Sequence, residues 1–120
     1  MNRKHLQCRL AYKAGSLDIA ISENNMYCSY LLLDQLMNAT LNEVYFCDIQ
    51  SSKKMVVKRS SKNYTIIQDN SVYLSDNCID CIKQLISQCH LNPYDAKWLH
   101  YDIEACTDQG DDVVMVVHLG

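Results

Sequence analysis

Trp98-Leu99-His100-Tyr101-Asp102-Ile103-Glu104-Ala105-Cys106, then Thr107-Asp108-Gln109-Gly110-Asp111-Asp112, then Val113-Val114-Met115-Val116-Val117-His118-Leu119: the reading of this stretch decides the fold. The first part alternates. Leu99, Tyr101, Ile103 and Ala105 point one way and Trp98, His100, Asp102 and Glu104 the other, which is the period of a strand with one face in a core. The last part is apolar at every position from 113 to 117, which suits a central strand covered on both sides. The six polar residues between them predict a turn, so the two segments form a hairpin. A symmetric turn sets Ala105 opposite Val113 and His100 opposite His118.

Upstream of the hairpin the spacing predicts a helix. Ser75 caps it, Asp76 suits the positive end of its dipole, and Leu74 can staple to Ile79. Cys78, Cys81, Ile82, Leu85, Ile86 and Cys89 form its apolar stripe, and Asn92-Pro93 stops it. Short strands are expected at residues 44–49, 55–57, 64–67 and 72–74, between the polar segments 50–54 and 58–63. A first helix follows Ser22, with Met26, Tyr30, Leu33 and Met37 at helical spacing, and ends near Asn38. At the start of the chain, alternating segments around Leu6-to-Tyr12 and Leu17-to-Ile21 flank Lys13-Ala14-Gly15-Ser16, a second hairpin.

Strands without regular helical crossovers point to a single α+β domain over residues 1–120: a mostly antiparallel β-sheet with two α-helices packed on one face. No internal repeat, linker or low-complexity segment is evident. At 120 residues and 48% hydrophobic, the chain has enough apolar material for one core. Seven cysteines, an odd and irregularly spaced set, argue against a secreted disulfide scaffold. Arg3 and Lys4 are followed by Gln7, Arg9 and Lys13 rather than an apolar run. No stretch approaches the ~20 apolar residues of a membrane helix, so a cytoplasmic protein without membrane contact is expected.

Charge is unevenly distributed. Residues 1–62 hold nine Lys/Arg against five Asp/Glu, a net of +4; residues 63–120 hold two against nine, a net of −7. Such asymmetry hints at an interaction.

Four constellations have chemical potential. Cys78-Ile79-Asp80-Cys81 at a helix start has redox-dithiol spacing, and Cys89-His90 is the only nearby pair that could complete a zinc site. Eight residues further along the same helix is too far to close a tetrahedron, so these cysteines are read as small core residues and no metal is assigned. The face Trp98-His100-Asp102-Glu104 could be an acid-base pair with His118, a solvated face, or a face covered by a partner. Exposed tryptophan among acids has the composition of an interaction hot spot with a charged rim. The turn with Asp108, Asp111 and Asp112 lacks the further spaced carboxylates of a calcium loop but adds to the acidic surface. Lys53, Lys54, Lys58, Arg59 and Lys62 are read as guards of an edge strand rather than as a nucleic-acid site. No P-loop, GxGxxG, GxSxG or HExxH occurs, and neither catalytic residues nor a cofactor are assigned.

In size, α+β layout and its ending, Trp98-Leu99-His100-Tyr101-Asp102-Ile103-Glu104 … Asp111-Asp112-Val113-Val114, the chain resembles the immunity proteins of bacterial polymorphic-toxin and contact-dependent inhibition systems. The resemblance implies a cytosolic antidote that binds and neutralises one cognate toxin, one to one. The charge argument supplies the toxin's expected character, a basic nuclease-type domain, and the partner-binding residues: Trp98, His100, Asp102, Glu104, Asp108, Asp111 and Asp112. Two alternatives stay open: a small enzyme using His100, His118 and Asp102, and a homo-oligomeric interaction module pairing through an edge strand or the Trp98 face.

Overall fold

The computed structural model describes residues 4–13, 15–22, 26–91 and 100–119. Eight strands and two helices follow in the order β1 (His5–Lys13), β2 (Ser16–Ile21), α1 (Met26–Met37), β3 (Glu43–Asp48), β4 (Lys54–Arg59), β5 (Thr65–Gln68), β6 (Ser71–Leu74), α2 (Asp76–Leu91), β7 (His100–Thr107) and β8 (Asp112–Leu119). Every element expected from alternation or helical spacing is present. The architecture is not the expected one. The strands close into a barrel in the order β1-β2-β8-β7-β5-β6-β4-β3, so the open, mostly antiparallel sheet with helices on one face is incorrect.

Four antiparallel hairpins (β1/β2, β3/β4, β5/β6, β7/β8) alternate around the barrel with four parallel pairs (β1/β3, β2/β8, β4/β6, β5/β7). A hairpin announces itself through a turn between two alternating segments. A parallel neighbour reached through a helix, or across most of the chain, has no local signal. Closure also removes every sheet edge. The lysines of β4 therefore guard no edge, since β4 is paired on one side with β3 and on the other with β6.

The chain traces one topology twice. β1-β2-α1-β3-β4 and β5-β6-α2-β7-β8 each consist of a hairpin, a crossover helix and a second hairpin whose first strand lies parallel to the first strand of the unit. The registers agree: Leu6 pairs with Phe46 and Thr65 with Ala105, at the same sequence separation. The sequence conceals this duplication because positions recur and residues do not. The second unit's inward pair, Thr65 with Ala105, is small. There α2 comes close, and the Thr65 hydroxyl bonds the Cys78 sulfur at 2.9 Å.

All four hairpin turns lie at one end of the barrel, and both helices lie across the other. α1 leaves the end of β2 and returns at the start of β3; α2 leaves β6 and returns toward β7. Ser75 caps α2 as expected, its hydroxyl accepting the Cys78 amide at 3.3 Å. The buried stripes, Leu32, Leu33 and Leu36 on α1 and Ile79, Ile82, Leu85 and Ile86 on α2, join inward strand residues such as Phe46, Ile19, Val57 and Met115 in one core. Lys83 of α2 ties the helices together through Asp34 of α1 at 2.7 Å. The interior of the barrel is thus its core, and the outer faces of the strands are its surface.

Candidate functional site

The β7/β8 hairpin has the register the sequence implies. Ala105 pairs with Val113 and His100 with His118. Tyr101, Ile103 and Ala105 face inward, leaving His100, Asp102 and Glu104 exposed on the outer surface. Successive outward positions on a strand are about 6.7 Å apart, so the two exposed carboxylates form a row along that face. Asp112 stands exposed at the start of β8, and Asp108 and Asp111 in the exposed turn. That turn is held by its own backbone. Thr107 N–H bonds Asp111 O at 2.8 Å, and the Thr107 hydroxyl accepts the amides of Gln109 and Asp111 at 3.3 and 3.1 Å. Gly110, at φ 90°, takes the left-handed position that a side chain would strain. The acids are therefore presented on a defined frame.

Trp98 lies outside the described residues, so its part of the expected face has no structural counterpart here. The other six residues of that surface, His100, Asp102, Glu104, Asp108, Asp111 and Asp112, share the outer side of one hairpin. The structure adds three that sequence reasoning missed. Val114 and Val116 do not lie beneath a second layer. Val114 is 43% exposed and Val116 half-buried, opposite Glu104 and Asp102 respectively. The run at 113–117 thus has one face in the core and one toward solvent, correcting the expectation of a strand covered on both sides. Asp18 of β2 is beside Val116 through the parallel β2/β8 pairing. Its only sequence signal is outward phase between Leu17 and Ile19; its place beside the hairpin is purely tertiary.

The chain's charge asymmetry becomes spatial. No lysine or arginine occurs from residue 98 to 120. On the barrel, β8 and β7 lie across from β3 and β4, where Lys54 and Lys58 point outward and Lys53 and Arg59 flank them. That basic side is partly engaged with itself. The Lys54 ammonium sits 5.0 Å over the Tyr45 ring, and Arg59 forms two bonds to Asp76, at 2.5 and 2.7 Å, which raise the Arg59 pKa and lower that of the carboxyl. The same two residues line a hollow of about 590 Å³ at the start of α2.

His100 Nδ1 lies 3.0 Å from Asp102 Oδ1, and His118 is the cross-strand neighbour of His100. Both members of the His100–Asp102 pair are more than half exposed, at 60% and 57%. An acid-base pair gains from a water-excluding cleft, and this one stands on the convex outside of a barrel. Among the described residues no group of three His, Cys, Asp or Glu is arranged to hold a metal ion.

The cysteine pair of α2 belongs to packing. Cys78 is buried against Thr65, and Cys81, half-buried, bonds the Tyr101 side chain, which raises the tyrosine's pKa. Cys8, on the inner face of β1, is pushed up to about 12 by burial and by the Asp48 and Cys47 charges, so its thiol is inert near neutral pH. No described helix is long and apolar enough to cross a membrane.

No protein-family model, curated protein or solved structure matches this chain.

Proposed function

We propose that this domain is a protein-binding module that docks a basic partner on the outer face of β7 and β8, and that the partner is a toxin domain it neutralises one to one. The observation that carries the reading is the composition of that face. Glu104 stands opposite Val114, Asp102 and Asp18 beside Val116, and Asp112, Asp111 and Asp108 continue toward the turn, with no lysine or arginine on the hairpin. Exposed valines inside a charged rim fit an interface whose centre is desolvated and whose edge steers association. A nuclease-type toxin, basic because it holds phosphate, is the class of partner whose cleft such carboxylates can occupy. The resemblance in size and in the ending, residues 98–114, to bacterial immunity proteins agrees with this partner class.

The exposure of His100 and Asp102, both more than half accessible among the described residues, favours binding over catalysis. Pairing of copies through an edge strand loses its basis, because the barrel is closed. The test is co-expression with the product of the neighbouring gene, scoring co-purification and relief of toxicity. The double substitution Asp102→Lys, Glu104→Lys is expected to slow association about tenfold at low salt and much less at high salt, where exposed charges are screened. Val114→Asp is expected to speed dissociation instead. A complex indifferent to all three substitutions refutes this choice of surface, and no complex and no protection refutes the antidote.

A further inference from the structure

The helices seal one end of the barrel; the turn end is open. There a cavity of about 550 Å³ is lined by Leu10, Tyr12, Leu17, Met55, Lys53 and Asn70, with Lys54 and Asp69 also on its rim. That volume lies within the range of small-molecule sites, and barrel mouths are among the places where such sites form. The cavity exists because inward-facing positions outrun the core. Tyr12 has the same strand phase as the buried Leu6 and Cys8, yet is 59% exposed, and Leu10 is only half-buried. Tyr12 pairs with Leu17 and Leu10 with Ile19 on one wall; Met55 projects from β4 on the other, in register with Phe46. Ile19 and Phe46, at most 1% exposed, close the space beneath.

The floor is apolar and the rim is not. Lys54 has the Tyr45 ring beneath its ammonium, but Lys53 forms no salt bridge with any described residue, its charge acting on Asp48 only at range. The Tyr12 hydroxyl and the Asn70 amide likewise make no side-chain hydrogen bond to another described residue. Among the lining residues two lysines stand with one aspartate, Asp69, while the Asp48 carboxylate beside them is held by backbone amides, Gln50 first and Leu10 also.

We propose that this mouth binds a small amphipathic anion, a medium-chain monocarboxylate whose chain lies on Leu10 and the Tyr12 ring, above the buried Leu17 and Met55, and whose carboxylate is taken by Lys53 with Asn70. The pocket shares no residue with the acidic face of β7 and β8, so it stands or falls independently of the antidote function.

The test is a methyl-resolved NMR titration of the whole chain with octanoate, 1-octanol and octylammonium. Octanoate is expected to give saturable shifts centred on the Leu10 methyls, with the alcohol and the cation at least tenfold weaker. Lys53→Ala, a surface change that leaves the fold intact, is expected to weaken octanoate about tenfold and leave octanol unchanged. Leu10→Trp, which fills the cavity, is expected to abolish both. Non-saturating shifts, shifts centred on other methyls, equal binding of all three probes, or octanoate affinity unaffected by Lys53→Ala would each overturn the proposal.

Discussion

Closure of the barrel can be tested at the seam between β2 and β8, strands almost the whole chain apart in sequence. Ser16 and Val114 are register partners there, both on outward positions, and Val114 N–H bonds Gly15 O at 3.0 Å. Cysteines at these two positions, in a Cys28→Ser background that removes the exposed native thiol, are expected to oxidise to a disulfide in the folded protein. The loop so closed holds roughly 100 residues, for which chain entropy gives a ceiling of about 4.7 kcal/mol. Strain reduces that figure in practice, so a gain of about 3 kcal/mol is expected, equivalent to about 10 °C in melting temperature. Peptide mapping under non-reducing conditions identifies the link, and thermal unfolding with and without reductant measures its worth. Cysteines at Ser16 and Glu104 serve as the control. Glu104 is on β7, one strand further round, so those Cα atoms are about 9.6 Å apart, beyond disulfide reach. If the control links as readily, or the Ser16–Val114 pair links only in denaturant, β2 and β8 are not neighbours and the barrel is wrong.

Two further expectations follow from the interior. Thr65→Val removes a fully buried hydroxyl that accepts the Ser75 amide at 3.2 Å and donates to the Cys78 sulfur; the orphaned amide should cost about 1–3 kcal/mol in urea unfolding, whereas Thr65→Ser should recover most of it. His5 has a lowered pKa, through burial first and the Lys54 charge second, and its Nε2 is buried without a partner. The unfolded chain, titrating near the usual 6.5, therefore takes the proton first. Stability should be complete above that value and fall as the pH drops below it. His5→Phe keeps a ring against Tyr45, 5.4 Å away and nearly perpendicular in the native pair, and should flatten that slope; an unchanged pH profile would remove His5 as its source.

What the sequence determined by itself is local. Alternation placed most of the strands and a β-branched apolar run the last, helical spacing placed two helices, and Ser75 marked a cap, because side-chain period acts over a few residues. Six of the seven candidate partner-binding residues belong to described segments and stand on the outside of the β7/β8 hairpin for the same reason. Tertiary structure decided the rest. Whether Val114 and Val116 meet a second layer or solvent depends on what lies outside their strand, and a row of valines looks the same in both cases. The neighbours of β2 and β4, Asp18 beside the hairpin, the helices across one end and the open mouth at the other all follow from four parallel pairings. Those pairings join residues far apart in the chain, through burial of a shared interior that no single segment encodes.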